Sequence, residues 1–365
     1  MATKPEVFID FKQLATTLMQ RSERGTAVLF LADDTIGELK KTECFIYNDV
    51  SQVNSDYDGE FFKTEARKEN LKHIKNCFKS APYEVIAIIA KNFENLALFT
   101  NALTSIREQG WIAVPDDALK DDLASWIKSM EKDNRSYKVL GNKKGVDSKH
   151  YVYFSQAATS LDGEALADTE IMPYLLGILA GCNCTRSVTN YQLTELDSCE
   201  EVDDLDTAVS EGQLVITNSN GKVKILTGIN SLTTLDGNTA TEDMQYIETI
   251  EAMDLMKDDI KNVFENTYQG KFKNKYINQL LFIGAINEYF RTLEDEDILD
   301  SEYDNKCQID VDSQRAAWIG VGKTEAATWS DDEVKARTFK RTVFLTADIK
   351  ILNSMENLKF TVTIM

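Results

Sequence analysis

Histidine is nearly absent from this chain: 365 residues hold two, His73 and His150, with four prolines and six cysteines. A Ser-His-Asp arrangement would have to use one of those two, and no G-x-S-x-G elbow exists to expose a serine. His73 sits within an amphipathic helical stretch and His150 beside Lys149 at a strand start, so both read as structural or surface residues. Among the cysteines, Cys182 and Cys184 with Cys199 fall short of the four ligands a structural zinc needs, with both histidines far away in sequence. No apolar run approaches the roughly 18 residues of a membrane helix; the longest are Val85–Ala90 and Tyr174–Cys182. Positive charge is also short. Lys and Arg number 40 against 60 Asp and Glu, a net charge of −20, and so acidic a surface repels phosphate, which excludes a broad nucleic-acid or anionic-lipid face. The first ten residues carry no apolar signal core, so a cytoplasmic protein with reduced thiols is expected.

What remains is ordinary globular composition, 43% hydrophobic and 27% charged, in a length that suits about two or three domains. From Gly25 to Leu140 short apolar runs alternate with amphipathic stretches. Ala27–Leu31, Tyr83–Ala90 and Trp111–Val114 read as strands; 62–78, 95–107 and 117–130 read as helices. That rhythm predicts a parallel sheet covered on both faces. Lys138–Lys149 reads as a loop before the strand Tyr151–Phe154, a helix follows over 171–180, and Val188–Leu196 looks extended. Gln213–Thr217 and Lys222–Leu226, joined through Asn218-Ser-Asn-Gly221, form a hairpin with glycine at the turn. Long helical patterns over 242–267 and 275–293 follow, which puts a domain boundary near Asp236-Gly-Asn238.

Three further patterns invite chemistry. Ala317–Thr324 fits a relaxed phosphate loop, but only 41 residues follow Thr324 and the stretch before it makes a poor buried strand, so a glycine turn between strands is the better reading of Gly322 and Lys323. Asn54–Glu65 resembles a calcium loop with Gly59 at its sixth position, yet asparagine replaces the first aspartate and Cys44–Tyr47 ahead of it looks extended; a polar turn capping the next helix fits better. Acidic runs at Asp197–Glu211 and Glu294–Asp304 are ordinarily solvated faces. In a homopolymer they could instead dock on a neighbour's Lys271, Lys273 and Lys275, and such assembly would be salt-sensitive.

Both ends of the chain are good strands. Val7, Ile9 and Phe11 alternate with Phe8 and Asp10; Leu358, Phe360, Val362 and Ile364 alternate with Lys359, Thr361 and Thr363. A terminal apolar strand must pair its N–H and C=O groups, either in a sheet of its own chain or in that of a neighbouring subunit, and periodicity leaves both readings open.

Several stretches resemble the contractile tail sheath family of bacteriophages and phage-tail-like bacteriocins. Tyr174–Gly181 followed by Ser187–Tyr191 looks like the family's small-residue helix and next strand; Gly228-Ile-Asn-Ser-Leu-Thr-Thr234 is similar to its G-[IV]-N-[ST]-L-T signature. Gly270, Lys271 and Asn274 ahead of an amphipathic helix match the C-terminal pattern of the smaller sheaths, and Pro5–Phe11 its N-terminal strand. The resemblance implies an α/β class: a subtilisin-like, three-layer sheath domain used as a structural brick (25–236), an α+β C-terminal sheath domain (237–365) and extended strand arms at both ends (1–24 and 353–365). It implies no catalysis and no cofactor. Family subunits form hexameric rings stacked helically around a tail tube, with baseplate and tail terminator proteins as partners, built in the host cytoplasm into a virion tail or a released tail-like particle. Their arms add strands to neighbours' sheets, and contraction drives the tube through a cell envelope. On that reading Val7, Phe8, Ile9, Asp10 and Phe11, with Lys359, Phe360, Thr361, Val362, Thr363 and Ile364, are the intersubunit arms. The alternatives from other classes are a nucleotide-binding protein using Gly322, Lys323 and Thr324, and a non-contractile self-assembling shell or filament protein.

Overall fold

The computed structural model describes residues 25–36, 42–57, 65–80, 82–107, 109–182, 184 and 186–364. Val7–Phe11 lie outside the described residues, as do residues 58–64 of the calcium-loop pattern. The described residues group into two compact units, 25–254 with 354–364, and 255–353. The division falls inside a helix, and it groups the residues from Ser354 onward with the first unit.

The first unit is built on strands β1 (Thr26–Ala32), β2 (Thr42–Tyr47), β3 (Glu84–Ala90), β4 (Gln109–Ala113), β5 (Ser136–Gly141) and β6 (Tyr151–Tyr153). They form one sheet in the order β2-β3-β1-β4-β5-β6, parallel throughout except for the antiparallel edge strand β2. β1 and β3 are near-continuous apolar runs because both of their faces are covered. Ala27, Leu29 and Leu31 share a core with the helices Glu65–Phe78 and Asp168–Gly181. Val28 and Phe30 face the other way, onto Leu96–Ile106 and Lys120–Lys132, where the Phe30 and Phe99 rings lie 5.1 Å apart. The strand–helix rhythm of the sequence is thus the rhythm of the fold.

Two expectations fail. The Lys138–Lys149 loop begins later than its composition suggests: residues 136–141 are β5, with Lys138 only 4% exposed. A lysine can lie in a buried strand here because Glu251 and Asp254 stand 3.1 and 3.0 Å from its Nζ. Val188–Leu196 is not one extended run. Asn190 takes a left-handed conformation (φ 60°), Gln192 pairs only in an isolated bridge with Lys224, and Leu196 already belongs to the next strand, opposite Ser160.

A second small sheet, β7 (Ala158–Ser160), β8 (Ala165–Leu166) and β9 (Leu196–Cys199), is antiparallel in the order β8-β7-β9. β10 (Ile216–Ser219) and β11 (Lys222–Ile225) form the expected hairpin, with Asn220 and Gly221 both at positive φ (52° and 72°), the mirror-image turn that this dipeptide favours. At Gly177 the helix Asp168–Gly181 approaches the backbone of the helix Glu65–Phe78 so closely that a Cβ would lie well inside contact distance of the Cys77 carbonyl oxygen. Gly177→Ala is expected to cost about 1–3 kcal/mol of stability, read by urea denaturation.

In the second unit, the end of the helix Ile247–Val263 runs into a π-helical turn at Phe264–Tyr268. The helix Tyr276–Asp295 follows; Tyr289 Oη donates to the buried Asp259 carboxylate at 2.7 Å. β12 (Lys306–Ile309) pairs antiparallel with β13 (Leu345–Asp348). The helices Val311–Gly320 and Asp331–Ala336 lie between them in sequence, and Trp318 packs edge-on against Trp329 and Phe339.

Candidate functional site

Two clusters in the first unit carry the residue types of catalysis. At the carboxyl ends of β1, β3 and β4, where open α/β sheets bind ligands, stands Asp33. Its carboxylate is held by Arg67 Nε (2.6 Å) and by the backbone N–H and hydroxyl of Thr35 (2.9 and 2.6 Å). The second cluster is a buried ion network. Lys138 bridges Glu251 and Asp254, Trp111 Nε1 donates to Glu251 (2.8 Å), and His150 Nε2 lies 3.0 Å from Asp254, with Nδ1 3.6 Å from Glu131. Ser148 Oγ donates to Glu131 (2.6 Å). Lys138, Glu251, Asp254, His150 and Ser148 are each at most 4% exposed, so the arrangement joins the first turns of the helix Ile247–Val263 to the sheet, and the cavity that Trp111, Lys138 and Glu251 line beside it measures only about 20 Å³, room for little more than a water molecule.

Burial alone would depress the His150 pKa, but the Asp254 and Glu131 carboxylates hold it above the ordinary value. A raised folded-state pKa gives stability that is complete below the unfolded value of about 6.5 and is lost as pH rises through the folded value. His73 runs oppositely, pushed down to about 4 by burial and then by Lys72, so its contribution is lost as pH falls from about 6.5 toward that value. The urea midpoint of the wild-type chain is therefore expected to fall on the alkaline side more steeply than that of His150→Gln; equal slopes would show that His150 carries no charge in the folded state.

The other patterns fall into place around these. Ala317–Thr324 crosses the end of the helix Val311–Gly320 and a turn at Gly322 (φ 90°) before a 3-10 turn at Thr324–Thr328. The glycine turn therefore lies between helical elements and not between strands as expected, and the Lys323 ammonium sits 3.3 Å from Glu325. A helix, Val50–Tyr57, follows the extended β2 and takes up the first four positions of the calcium-loop pattern, and Glu65 opens the next helix. Cys182, Cys184 and Cys199 are buried thiols; burial raises the pKa of the first and pushes that of the last up to about 11. Among the described residues no group of three or more His, Cys, Asp or Glu side chains is placed to hold a metal ion, and no helix is long and apolar enough to cross a membrane.

The feature that stands apart is the C-terminal strand. Its root is fixed to the first unit: Ser354 Oγ donates to Glu248 at 2.8 Å, and Ser187 Oγ donates to Glu356 at 2.7 Å. Beyond that clip the chain runs from Asn357 to Ile364 without pairing to any strand among the described residues. Leu358 is 90% exposed, Phe360 79%, Val362 65% and Ile364 91%. The alternate side chains Lys359, Thr361 and Thr363 are exposed as well. Both faces of an apolar-patterned strand thus lie in solvent together with its backbone donors and acceptors.

The second unit has one strand edge without a neighbour among the described residues. The Asn287 side chain accepts from Cys307 N–H (2.7 Å) and donates to Cys307 C=O (3.3 Å), covering the outer edge of β12 as a neighbouring strand would. The outer edge of β13 pairs with no strand among the described residues, and Thr346, Ala347 and Asp348 are exposed. Nothing in the sequence singled out Asn287, Ser187 or Glu248, since a capping amide and a strand-root clip depend on partners 20, 169 and 106 residues away.

Residues 239–365 match the family model of the phage tail sheath C-terminal domain, starting beside the Asp236-Gly-Asn238 turn. The tail sheath protein of Clostridium phage phiCD119 is 27% identical over 376 residues, covering 99% of either chain. Among solved structures, the helical sheath of the anti-feeding prophage in its contracted state is similar with a TM-score of 0.69 at 11% identity, covering 100% of this chain and 99% of that one. The sheath tail protein of Desulfitobacterium hafniense gives a TM-score of 0.64 at 15% identity, covering 86% of this chain and 93% of that one. The chain is accordingly similar to a phage tail sheath protein along its whole length, and its residues 239–365 match the phage tail sheath C-terminal domain.

Proposed function

We propose that this chain is the structural subunit of a contractile tail sheath, joined to its neighbours by strand donation. The observation that carries the reading is the exposed alternating strand 358–364, on a chain related to tail sheath proteins over its full length. A strand with four large apolar side chains in water is an aggregation hazard unless an assembled state covers it. Lys359, Phe360, Thr361, Val362, Thr363 and Ile364 act as the C-terminal arm, and the free edge of β13 in a second copy receives it, because Asn287 already covers the edge of β12. Val7, Phe8, Ile9, Asp10 and Phe11 act as the N-terminal arm. The α/β unit serves as a subtilisin-like brick used for its shape. Subunits form hexameric rings stacked helically around a tail tube, with baseplate and tail terminator proteins closing the two ends. They are built in the host cytoplasm into a tail or tail-like particle that carries no membrane segment and binds no nucleic acid. Contraction needs no nucleotide, because its energy is held in a metastable assembled lattice.

Negative-stain electron microscopy of the purified protein, alone and co-expressed with its tube protein, tests the reading. Hollow tubes with a regular helical repeat are expected in at least one of the two preparations. Uniform single particles in both would refute the proposal.

A further inference from the structure

A cavity of about 170 Å³ opens in the second unit beneath the π-helical turn. Its wall is aromatic: the Tyr268 ring centroid lies 4.7 Å from that of Phe282 and 5.3 Å from that of Phe272, and Phe264 lies 5.4 Å from Phe282. Gln279, 3% exposed, also lines it; its Nε2 donates to Asn274 Oδ1 (2.7 Å), while its Oε1 is buried with no partner among the described residues. A buried acceptor without a donor is costly unless a ligand supplies one. Asn274 Nδ2 in turn bonds the carbonyl oxygens of Phe339 (3.1 Å) and Thr342 (3.1 Å), which sets Arg341 at the mouth beside Lys273.

The charge at that mouth runs against the rest of the chain. Lys271, Lys273, Lys275, Lys340 and Arg341 make no ion pair among the described residues, in a protein with a net charge of −20. In the first unit the stretch Glu200–Asp206 shows the reverse: Glu200, Glu201, Asp203, Asp204 and Asp206 are exposed and make no ion pair among the described residues. Leu205, 36% exposed, stands near the end of that stretch, between Asp204 and Asp206.

We propose that the aromatic cavity is a docking site for the Glu200–Asp206 stretch of a second copy of this chain. Leu205 enters among the rings, the carboxylates beside it meet Lys273 and Arg341, and a backbone N–H of the incoming segment satisfies Gln279 Oε1. This contact is separate from strand donation, and it stands whether or not the assembled object is a sheath.

The test uses the full chain and a fluorescein-labelled peptide of residues 197–208, followed by fluorescence anisotropy. Saturable binding is expected, weakening as salt is raised because the charges at the mouth are exposed. The Lys273→Glu/Arg341→Glu variant, altered only at exposed side chains and checked for folding by circular dichroism, is expected to bind about tenfold more weakly or less. A peptide carrying Leu205→Ser is expected to lose about tenfold, the scale of withdrawing an apolar side chain from a cavity. No saturable binding would overturn the proposal. Equal binding of the Leu205→Ser peptide would also overturn it, since the contact would then be one of charge alone, and so would undiminished binding by the charge-reversed variant.

Discussion

Ending the chain at Leu358, which removes Lys359 to Met365, is expected to leave a monomer that melts like the full-length protein and forms no tubes. The removed side chains contribute nothing to the core, since Phe360, Val362 and Ile364 are between 65% and 91% exposed. Their loss therefore costs the monomer little hydrophobic stabilisation. Assembly loses both the ladder of backbone hydrogen bonds and the alternating apolar contacts that strand addition supplies. An extended segment of eight residues reaches only about 26 Å, so the strand links immediate neighbours and cannot be replaced by a more distant contact. Normal tubes from the truncated chain would refute the assignment of the arm. A lowered melting temperature would show that the strand folds back on its own subunit. Because Ser354 and Glu356 tie the strand's root to Glu248 and Ser187, the arm leaves from the α/β unit although the residues just before it belong to the other.

Lys138→Met is expected to be the most damaging single substitution in the α/β unit, at about 3–5 kcal/mol, measured by urea or guanidinium denaturation. The lysine is 4% exposed, and its ammonium is shared between Glu251 (3.1 Å) and Asp254 (3.0 Å), themselves 4% exposed. Removing it withdraws the ammonium shared by two carboxylates in a low-dielectric site, and the destabilisation arises mainly from burying those charges without it. Lys138→Met is expected to lose far more than Lys143→Met, whose side chain is 40% exposed and whose partner Asp121 is 72% exposed. Equal losses would mean that the buried network is not electrostatically coupled.

The sheet was legible because burial on both faces writes an unambiguous signal into the chain. Ala27–Leu31 and Val85–Ala90 are apolar throughout, and the helices between them show one apolar face. β5 was not legible, because Lys138 and Gly141 look like loop residues until Glu251 and Asp254, more than a hundred positions later, arrive to match the lysine. Local pattern cannot report a charge that is neutralised by tertiary contact. Val188–Leu196 failed differently: its composition suits a strand, but the left-handed turn at Asn190 breaks the run and leaves an isolated bridge at Gln192, with Leu196 opening a separate strand.

The candidate assembly strand shows the same division. Its alternation is plain in Leu358–Ile364, since a period of two needs no partner to be visible. Whether that strand pairs within its own subunit is a tertiary question, answered by its exposure. Which edge of the β12–β13 pair is left open was hidden altogether. Asn287 lies on a helix, and its role in covering Cys307 comes from β12 running beside that helix.

The account stands on one claim, that residues 358–364 are unpaired in the free subunit and paired in the assembled one. Hydrogen–deuterium exchange of their backbone amides, measured on the monomer and on assembled tubes, addresses it directly. Exchange within seconds in the monomer and strong protection in the tubes is the predicted result; rapid exchange in both states would contradict strand donation by this segment.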